Sequence, residues 1–347
     1  MKYYVENALL KESIMDKVRI GVIGVGAIGM VHATALASSP LAELVGIADI
    51  NDELRERTAL ELNTKEYADY RSLIESPNLD AISICTPDGY HLEPVMNCMD
   101  AGLHIIVEKP LTTDLAEAER IAKRVCTYDK KFMVAYIVRF DPRYALAKEA
   151  VDNGEIGEIV HMSALRNTSP LSPRYLKGRV SLTYFIGVHD LDQLTWMAGS
   201  PIKRVYAVSR GMQVKKELGV DDTMLSLIEL NNGVIAQMNH SWACPQSREA
   251  RLQSRLDIVG TKGQITAEVW NQGLKIHGPD GIRFQDVSYG PILYGKRLGH
   301  MRTQLEHFLQ CIIRDESPIV GVEEGLAGVR AATALEKSIK TGLPVTL

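Results

Sequence analysis

Val18-Arg19-Ile20-Gly21-Val22-Ile23-Gly24-Val25-Gly26-Ala27-Ile28-Gly29 decides the reading of this chain, together with Asp49, which closes the next apolar run. Val18 to Ile23 is an apolar, β-branched run of buried-strand length, and Met30 to Ala37 follows without a breaker, as a helix packed on a sheet would. The glycines sit at the junction. Gly24 allows a sharp turn, Gly26 lets a pyrophosphate approach the backbone, and Gly29 lets helix and strand touch. A negative ligand then meets the positive end of the helix, with Ala27 and Ile28 in its first turn. The pattern predicts a dinucleotide-binding βαβ unit.

Asp49 follows Leu44-Val45-Gly46-Ile47-Ala48, where a second parallel strand should end. A carboxylate there accepts hydrogen bonds from the adenosine ribose hydroxyls and repels a 2′-phosphate. No Arg or Lys lies between Ile50 and Leu54 to neutralise it, so the sequence favours NAD over NADP.

At 347 residues the chain exceeds what one hydrophobic core usually serves, which predicts two domains. The charge of −4 argues against a nucleic-acid or membrane partner, since both need a basic surface. Five scattered cysteines without a CxxC pair indicate reduced thiols in a cytoplasmic protein and no grouped metal ligands. No apolar run reaches membrane-spanning length. Residues 1–16 read as a loose extension without the apolar centre of a signal peptide, and Met15 is a candidate native start.

Residues 17–138 continue the βα alternation. A strand at Leu79 to Thr86 stops at Pro87, and a further strand, His104 to Val107, runs into Glu108-Lys109-Pro110. Both carboxyl ends fall on the edge where open α/β sheets bind ligands. From Arg139 to residue 347 the pattern changes to strand-like runs joined by Asn231-Asn232-Gly233 and Thr261-Lys262-Gly263. Both read as hairpin turns whose glycines supply positive φ. The expected fold class is α/β: a doubly wound parallel sheet, then an α/β domain with a mostly antiparallel sheet.

Two stretches carry candidate chemistry. Lys109, after a strand at the ligand edge, can place an ammonium against a substrate hydroxyl, and Glu108 can bond a ribose. His189 opens a helix in the second domain and is a natural proton acceptor near neutral pH, whereas Asp190 and Asp192 read as first-turn acids. Tyr144 and Lys148 have the tyrosine-lysine spacing of short-chain dehydrogenases, but the glycine spacing that class needs is missing.

The chain resembles the glucose-fructose oxidoreductase, inositol dehydrogenase and rhizopine-catabolism (Gfo/Idh/MocA) family. The likeness rests on Gly24 to Gly29, Cys85-Thr86-Pro87-Asp88-Gly89-Tyr90-His91, Ala101 to Leu111, Arg139-Phe140-Asp141-Pro142, Gly154-Glu155-Ile156-Gly157, His189-Asp190-Leu191-Asp192 and Thr341 to Val345. It implies a Rossmann domain and a second α/β domain whose large open sheet commonly forms homodimers or homotetramers. The implied activity is NAD(P)-dependent oxidation of a secondary hydroxyl on a sugar, glycoside or cyclitol. Lys109 and His189 would handle the proton, Thr86, Pro87, His91 and Glu108 would lie along the cofactor, and Arg166 and Asn167 would face substrate hydroxyls.

One departure stands out. Inositol dehydrogenase-like members carry an aspartate four residues before the histidine, where this chain has Phe185 beside Tyr184. Either Lys109 and His189 work without the acid, Tyr184 replaces it, or a bulkier glycoside stacks on the aromatic pair. Two other activities fit the same resemblance: redox-neutral glycoside cleavage or elimination on tightly held NAD, and a nucleotide-sensing regulator without turnover.

Overall fold

The computed structural model describes residues 17–244, 252–269, 273–279 and 281–347. The amino-terminal extension and Met15 lie outside them. Strand β1 (Val18–Ile23) and helix α1 (Ala27–Ala37) are followed by β2 (Ala42–Ala48), α2 (Asp52–Leu62), β3 (Lys65–Tyr67), α3 (Tyr70–Ile74), β4 (Ala81–Ile84), α4 (Leu92–Asp100), β5 (His104–Glu108), α5 (Leu115–Val125) and β6 (Phe132–Ala135). The six strands form one parallel sheet in the order β3-β2-β1-β4-β5-β6.

Helices cover both faces of that sheet, so its central strands are apolar throughout: Ile20, Val22, Ile82, Ile84, Ile105, Ile106 and Val107 are inaccessible to solvent. The chain order reverses between β1 and β4. A crevice therefore opens at their carboxyl ends, beside the glycine turn. Asn51 and Asp114 cap α2 and α5 with side-chain acceptors, fixing where the flanking loops leave the sheet.

After a 3-10 turn (Ile137–Phe140), α6 (Pro142–Asp152) leads into a second layer. Its elements are β7 (Ile159–Thr168), α7 (Leu171–Tyr175), a π turn (Thr183–Gly187), α8 (Val188–Ala198), β8 (Ile202–Arg210), α9 (Gln213–Leu218), β9 (Thr223–Leu230), β10 (Ile235–Ser241), β11 (Leu252–Gly260) and β12 (Gln264–Glu268). Two short hairpins span 275–284 and 292–297, before α10 (His300–Arg314), α11 (Val322–Thr341) and a final strand (Val345–Thr346).

A seven-stranded sheet runs β12-β11-β7-β10-β9-β8 and then the final strand. Every pair in it is antiparallel except β7 with β10. Both expected hairpins form, but the positive φ occurs only at Gly233. The other turn closes by Gly260 N–H donating to the Gly263 carbonyl, with no left-handed residue at Gly263. Tyr144 is buried on α6 against Ser254 and Lys148 pairs with Asp152, so neither reaches the crevice.

Helices α8 and α11 pack on the inner face of this sheet, while α10 returns to α1 and α11 to α5. Helix α8 is also pinned by charge. Arg139, in the 3-10 turn, donates through Nε and Nη2 to Asp192 at 2.9 and 2.6 Å, with both side chains no more than 5% exposed. Removing one partner of such a pair leaves a buried charge uncompensated. Asp192→Asn is expected to cost about 3 kcal/mol and to lower the thermal midpoint by several degrees in calorimetry; an unchanged midpoint would refute the pinning role.

Candidate active site

The glycine turn is built for a close approach. Gly24 has φ +83°, and a Cβ there would stand 2.8 Å from the Cys85 carbonyl oxygen. A Cβ at Gly29 would stand 1.8 Å from the Gly24 oxygen, so α1 rests directly on the turn. A Cβ at Gly26 would meet nothing closer than the Tyr175 hydroxyl at 3.9 Å, which leaves the cradle open. Asp49, at the end of β2, accepts from the Val25 and Asn51 amides at 2.8 and 2.9 Å. Ile28 is 40% exposed at the start of α1. An open backbone cradle at a helix start with a carboxylate one strand away fits a dinucleotide.

Arg55 lies one residue past the window read for a basic neighbour, yet its guanidinium is committed. It donates to the Asp49 carbonyl and to Asp52 at 3.1 and 2.6 Å and pairs with Glu66 at 3.3 Å. The Arg55 guanidinium is therefore not free for a 2′-phosphate.

Thr86 and Pro87 follow β4 at the same edge. The Thr86 hydroxyl donates to the Tyr90 carbonyl at 3.0 Å. His91 is fully buried between the Thr86 and Pro110 carbonyls, each 2.9 Å from a ring nitrogen, and so ties that loop to the end of β5 rather than facing the crevice. Glu108 lies 3.2 Å from His32 Nε2, while His32 Nδ1 contacts Ser83 Oγ at 2.8 Å. Burial works against charge on this imidazole, but Cys85 and Glu108 outweigh it and push its pKa up to about 10.

Lys109 leaves β5 toward the second layer. Its Nζ donates to the Phe185 carbonyl at 2.9 Å and lies 4.6 Å from the Phe185 ring centroid. Phe185 is in the π turn, one turn of chain before His189, and its ring packs on Trp242 at 6.3 Å. Tyr184 turns the other way, its hydroxyl 2.9 Å from Thr333 Oγ1 on α11, and so does not stand in for a carboxylate beside His189.

His189 Nδ1 is buried and has no hydrogen-bond partner among the described residues. Burial, then the charges of Lys109 and Arg166, hold its pKa well below the usual 6.5, against an opposing pull from Asp190. The ring is therefore neutral at pH 7.

Asp190 is a first-turn acid of α8, whereas Asp192 lies beyond that turn, and both are buried in ion pairs. Asp190 is 1% exposed, accepts from Arg166 Nη2 and His240 Nε2 at 2.7 Å each, and is held well below the usual carboxylate range although burial opposes its charge. That contribution to stability is complete above about pH 4 and fades as the pH falls through the carboxylate range. Arg166 and Asn167 are successive residues of β7 and point to opposite faces. Arg166 is buried against Asp190, while Asn167 donates to Gln253 at 3.4 Å and keeps a buried, unpartnered Oδ1. Among the described residues no group of His, Cys, Asp and Glu side chains could hold a metal ion.

The sequence profile of an oxidoreductase family with an NAD-binding Rossmann fold matches residues 18–136, and the profile of that family's C-terminal α/β domain matches residues 148–347. The chain belongs to the Gfo/Idh/MocA family. It is an NAD(P)-dependent oxidoreductase with NAD as its cofactor.

Relatives within the family include the scyllo-inositol 2-dehydrogenase (NAD(+)) of Bacillus subtilis, 28% identical over 95% of this chain and 96% of its own length. The myo-inositol 2-dehydrogenase of Thermotoga maritima is 29% identical over 95% and 98%. In fold, the chain resembles the scyllo-inositol dehydrogenase of Lactobacillus casei, solved with NAD(H) and scyllo-inositol. That likeness has a TM-score of 0.81 at 22% identity, over 95% of this chain and 99% of the other. No helix among the described residues is long and apolar enough to cross a membrane.

Sequence reasoning missed His32, Ser83 and His240, which have no local motif, and found Arg139 only as part of a family motif, without its partner Asp192. Their partners lie far along the chain, and only alternation in β10 marks His240 as inward-facing. Asp49→Ala is expected to raise the NADP-to-NAD ratio of kcat/KM about tenfold; an unchanged ratio in initial-rate assays would remove Asp49 from cofactor selection.

Proposed function

We propose that this enzyme oxidises a secondary ring hydroxyl of a sugar, glycoside or cyclitol, with Lys109 and His189 handling the proton. One observation carries the reading: the Lys109 ammonium at the end of β5 donates to the carbonyl of Phe185, four residues before His189 at the start of α8, which brings a cation of the first layer to the turn that presents the imidazole. The inositol dehydrogenases among its relatives support the substrate class.

NAD, when bound, takes up the hydride. Lys109, steadied by the Phe185 carbonyl, hydrogen-bonds the carbinol oxygen and stabilises its alkoxide character as the C–H bond breaks. The O–H proton passes to His189, whose neutral ring is ready to accept it, and the C–O double bond forms. Residues 17–138 hold the cofactor and residues 139–347 shape the substrate pocket, with Phe185 and His189 as the side chains nearest the reacting group; Asn167, on the other face of β7 from Arg166, is not among them.

Lys109→Ala should lower kcat by about a thousandfold while the NAD dissociation constant stays within about threefold. Retained turnover would overturn the proton assignment. In the wild type, the acid limb of kcat/KM should fall well below pH 6.5, because His189 stays neutral there. A panel of free inositols and alkyl or aryl glycosides, followed by NADH absorbance, identifies the substrate. Turnover without net NADH would favour redox-neutral cleavage, and binding without turnover a sensor. Equal rates on inositols and glycosides would argue against stacking on Phe185.

The outer face of the seven-stranded sheet carries Leu225, Leu227 and Ile235 at 49, 59 and 57% exposure, an apolar stripe suited to a second copy of the chain. We assign a homodimer or homotetramer through this sheet, in the reducing cytoplasm, where Cys98 and Cys311 remain buried thiols. Leu227→Asp should shift the sedimentation coefficient toward the monomer; an unshifted value would exclude this face.

A further inference from the structure

Tyr175, at the end of α7, belongs to the second layer, yet its hydroxyl reaches the first turn of α1. There it accepts from the Ala27 amide at 3.3 Å. The base of this side chain is anchored. Pro173 and Leu176 are buried on either side of it, and Arg174 forms a forked pair with Glu217 on α9, from Nε to Oε1 at 2.9 Å and from Nη2 to Oε2 at 2.8 Å. Gly178, with φ +66°, lies so close to α9 that a Cβ would stand 2.5 Å from the Leu218 oxygen. Tyr175 itself is 63% exposed, so its phenol spans from a fixed base across the open side of the Gly26 cradle.

We infer that Tyr175 is a cofactor-holding residue supplied by the second layer, whose hydroxyl donates to the diphosphate of bound NAD. The inference rests on the dinucleotide site described above and not on the identity of the substrate. Free amides in the first turn of α1 are the donors a diphosphate oxygen takes up. Where the phenol oxygen now accepts from Ala27, it keeps its own proton to give. When a diphosphate oxygen takes over that amide, the phenol changes from acceptor to donor without leaving the cradle. It exchanges a long neutral bond for a charge-assisted one, roughly twice as strong. The same contact ties the second layer to the cofactor, so that binding NAD adds a further restraint on the already anchored α7.

Titration calorimetry on the full chain tests this with Tyr175→Phe, which keeps the ring and removes only the hydroxyl. The dissociation constants of NAD and of ADP-ribose should both rise about tenfold, while that of adenosine, which has no phosphate, stays unchanged. Unchanged or tighter NAD binding would overturn the inference, since tighter binding would mark the phenol as an obstruction. Limited trypsin cleavage at the exposed Lys177 provides a second readout. NAD should protect this bond in the wild type and not in Tyr175→Phe. Equal protection in both would count against the clamp.

Discussion

Two buried carboxylates on α8 fix that helix, one to the second sheet and one to the turn that follows the first. Asp190 draws in Arg166 from β7 and His240 from β10, while Asp192 draws in Arg139 from the turn that follows the parallel sheet. Ion pairs of this kind add little over an apolar isostere, but they tolerate neither a missing partner nor a shifted one. Their value here lies in orientation. His189 directly precedes the anchored Asp190 at the start of the helix, so the backbone that carries its ring has a fixed place against the second sheet. The catalytic geometry depends on that placement, because Lys109 arrives from the opposite side on a strand end that is itself rigid.

The glycine turn supplies the other half of the geometry. With a Cβ at Gly29 only 1.8 Å from the Gly24 oxygen, no other residue lets α1 sit on the turn without moving it. Helix position, amide orientation and the exit of β4 are therefore set together. The polar network beneath the site follows from the same packing: His32 on α1 is brought against Glu108 and Ser83, each on a different strand. A buried cationic imidazole then fixes the glutamate that precedes Lys109.

What the sequence disclosed and what it withheld divide along the length of the interactions. The glycine spacing, the acid after β2, the strand ends at Pro87 and Pro110 and the hairpin at Gly233 are local patterns, and each took its expected place. Asp190 is the first-turn acid its position suggests, but first-turn acids and buried ion-pair acids look alike until a distant arginine is located, so the ion pairing of Asp190 and Asp192 had no local sign. Arg166 and Asn167 were grouped as neighbours in sequence, although the alternation of a strand already separates them onto two faces. Tyr175 carried no local signal at all, since its meaning comes from an amide 148 residues away.

The change from the family's aspartate to Phe185 has a consistent electrostatic reading. A carboxylate at that place would neutralise Lys109 and draw charge onto His189. The Phe185 carbonyl and ring instead hold the ammonium by dipole and π face, at 2.9 and 4.6 Å, and leave its net charge in place. Arg166 is already cancelled by Asp190, so Lys109 is the uncompensated cation facing the imidazole. Burial first, and that charge second, depress the His189 pKa, and in the proposed reaction the same charge stabilises a developing alkoxide. On the proposed mechanism, a ring in place of an acid thus does not disable the pair: charge falls to Lys109 and proton acceptance to a histidine kept neutral by burial first and by its cationic neighbours second.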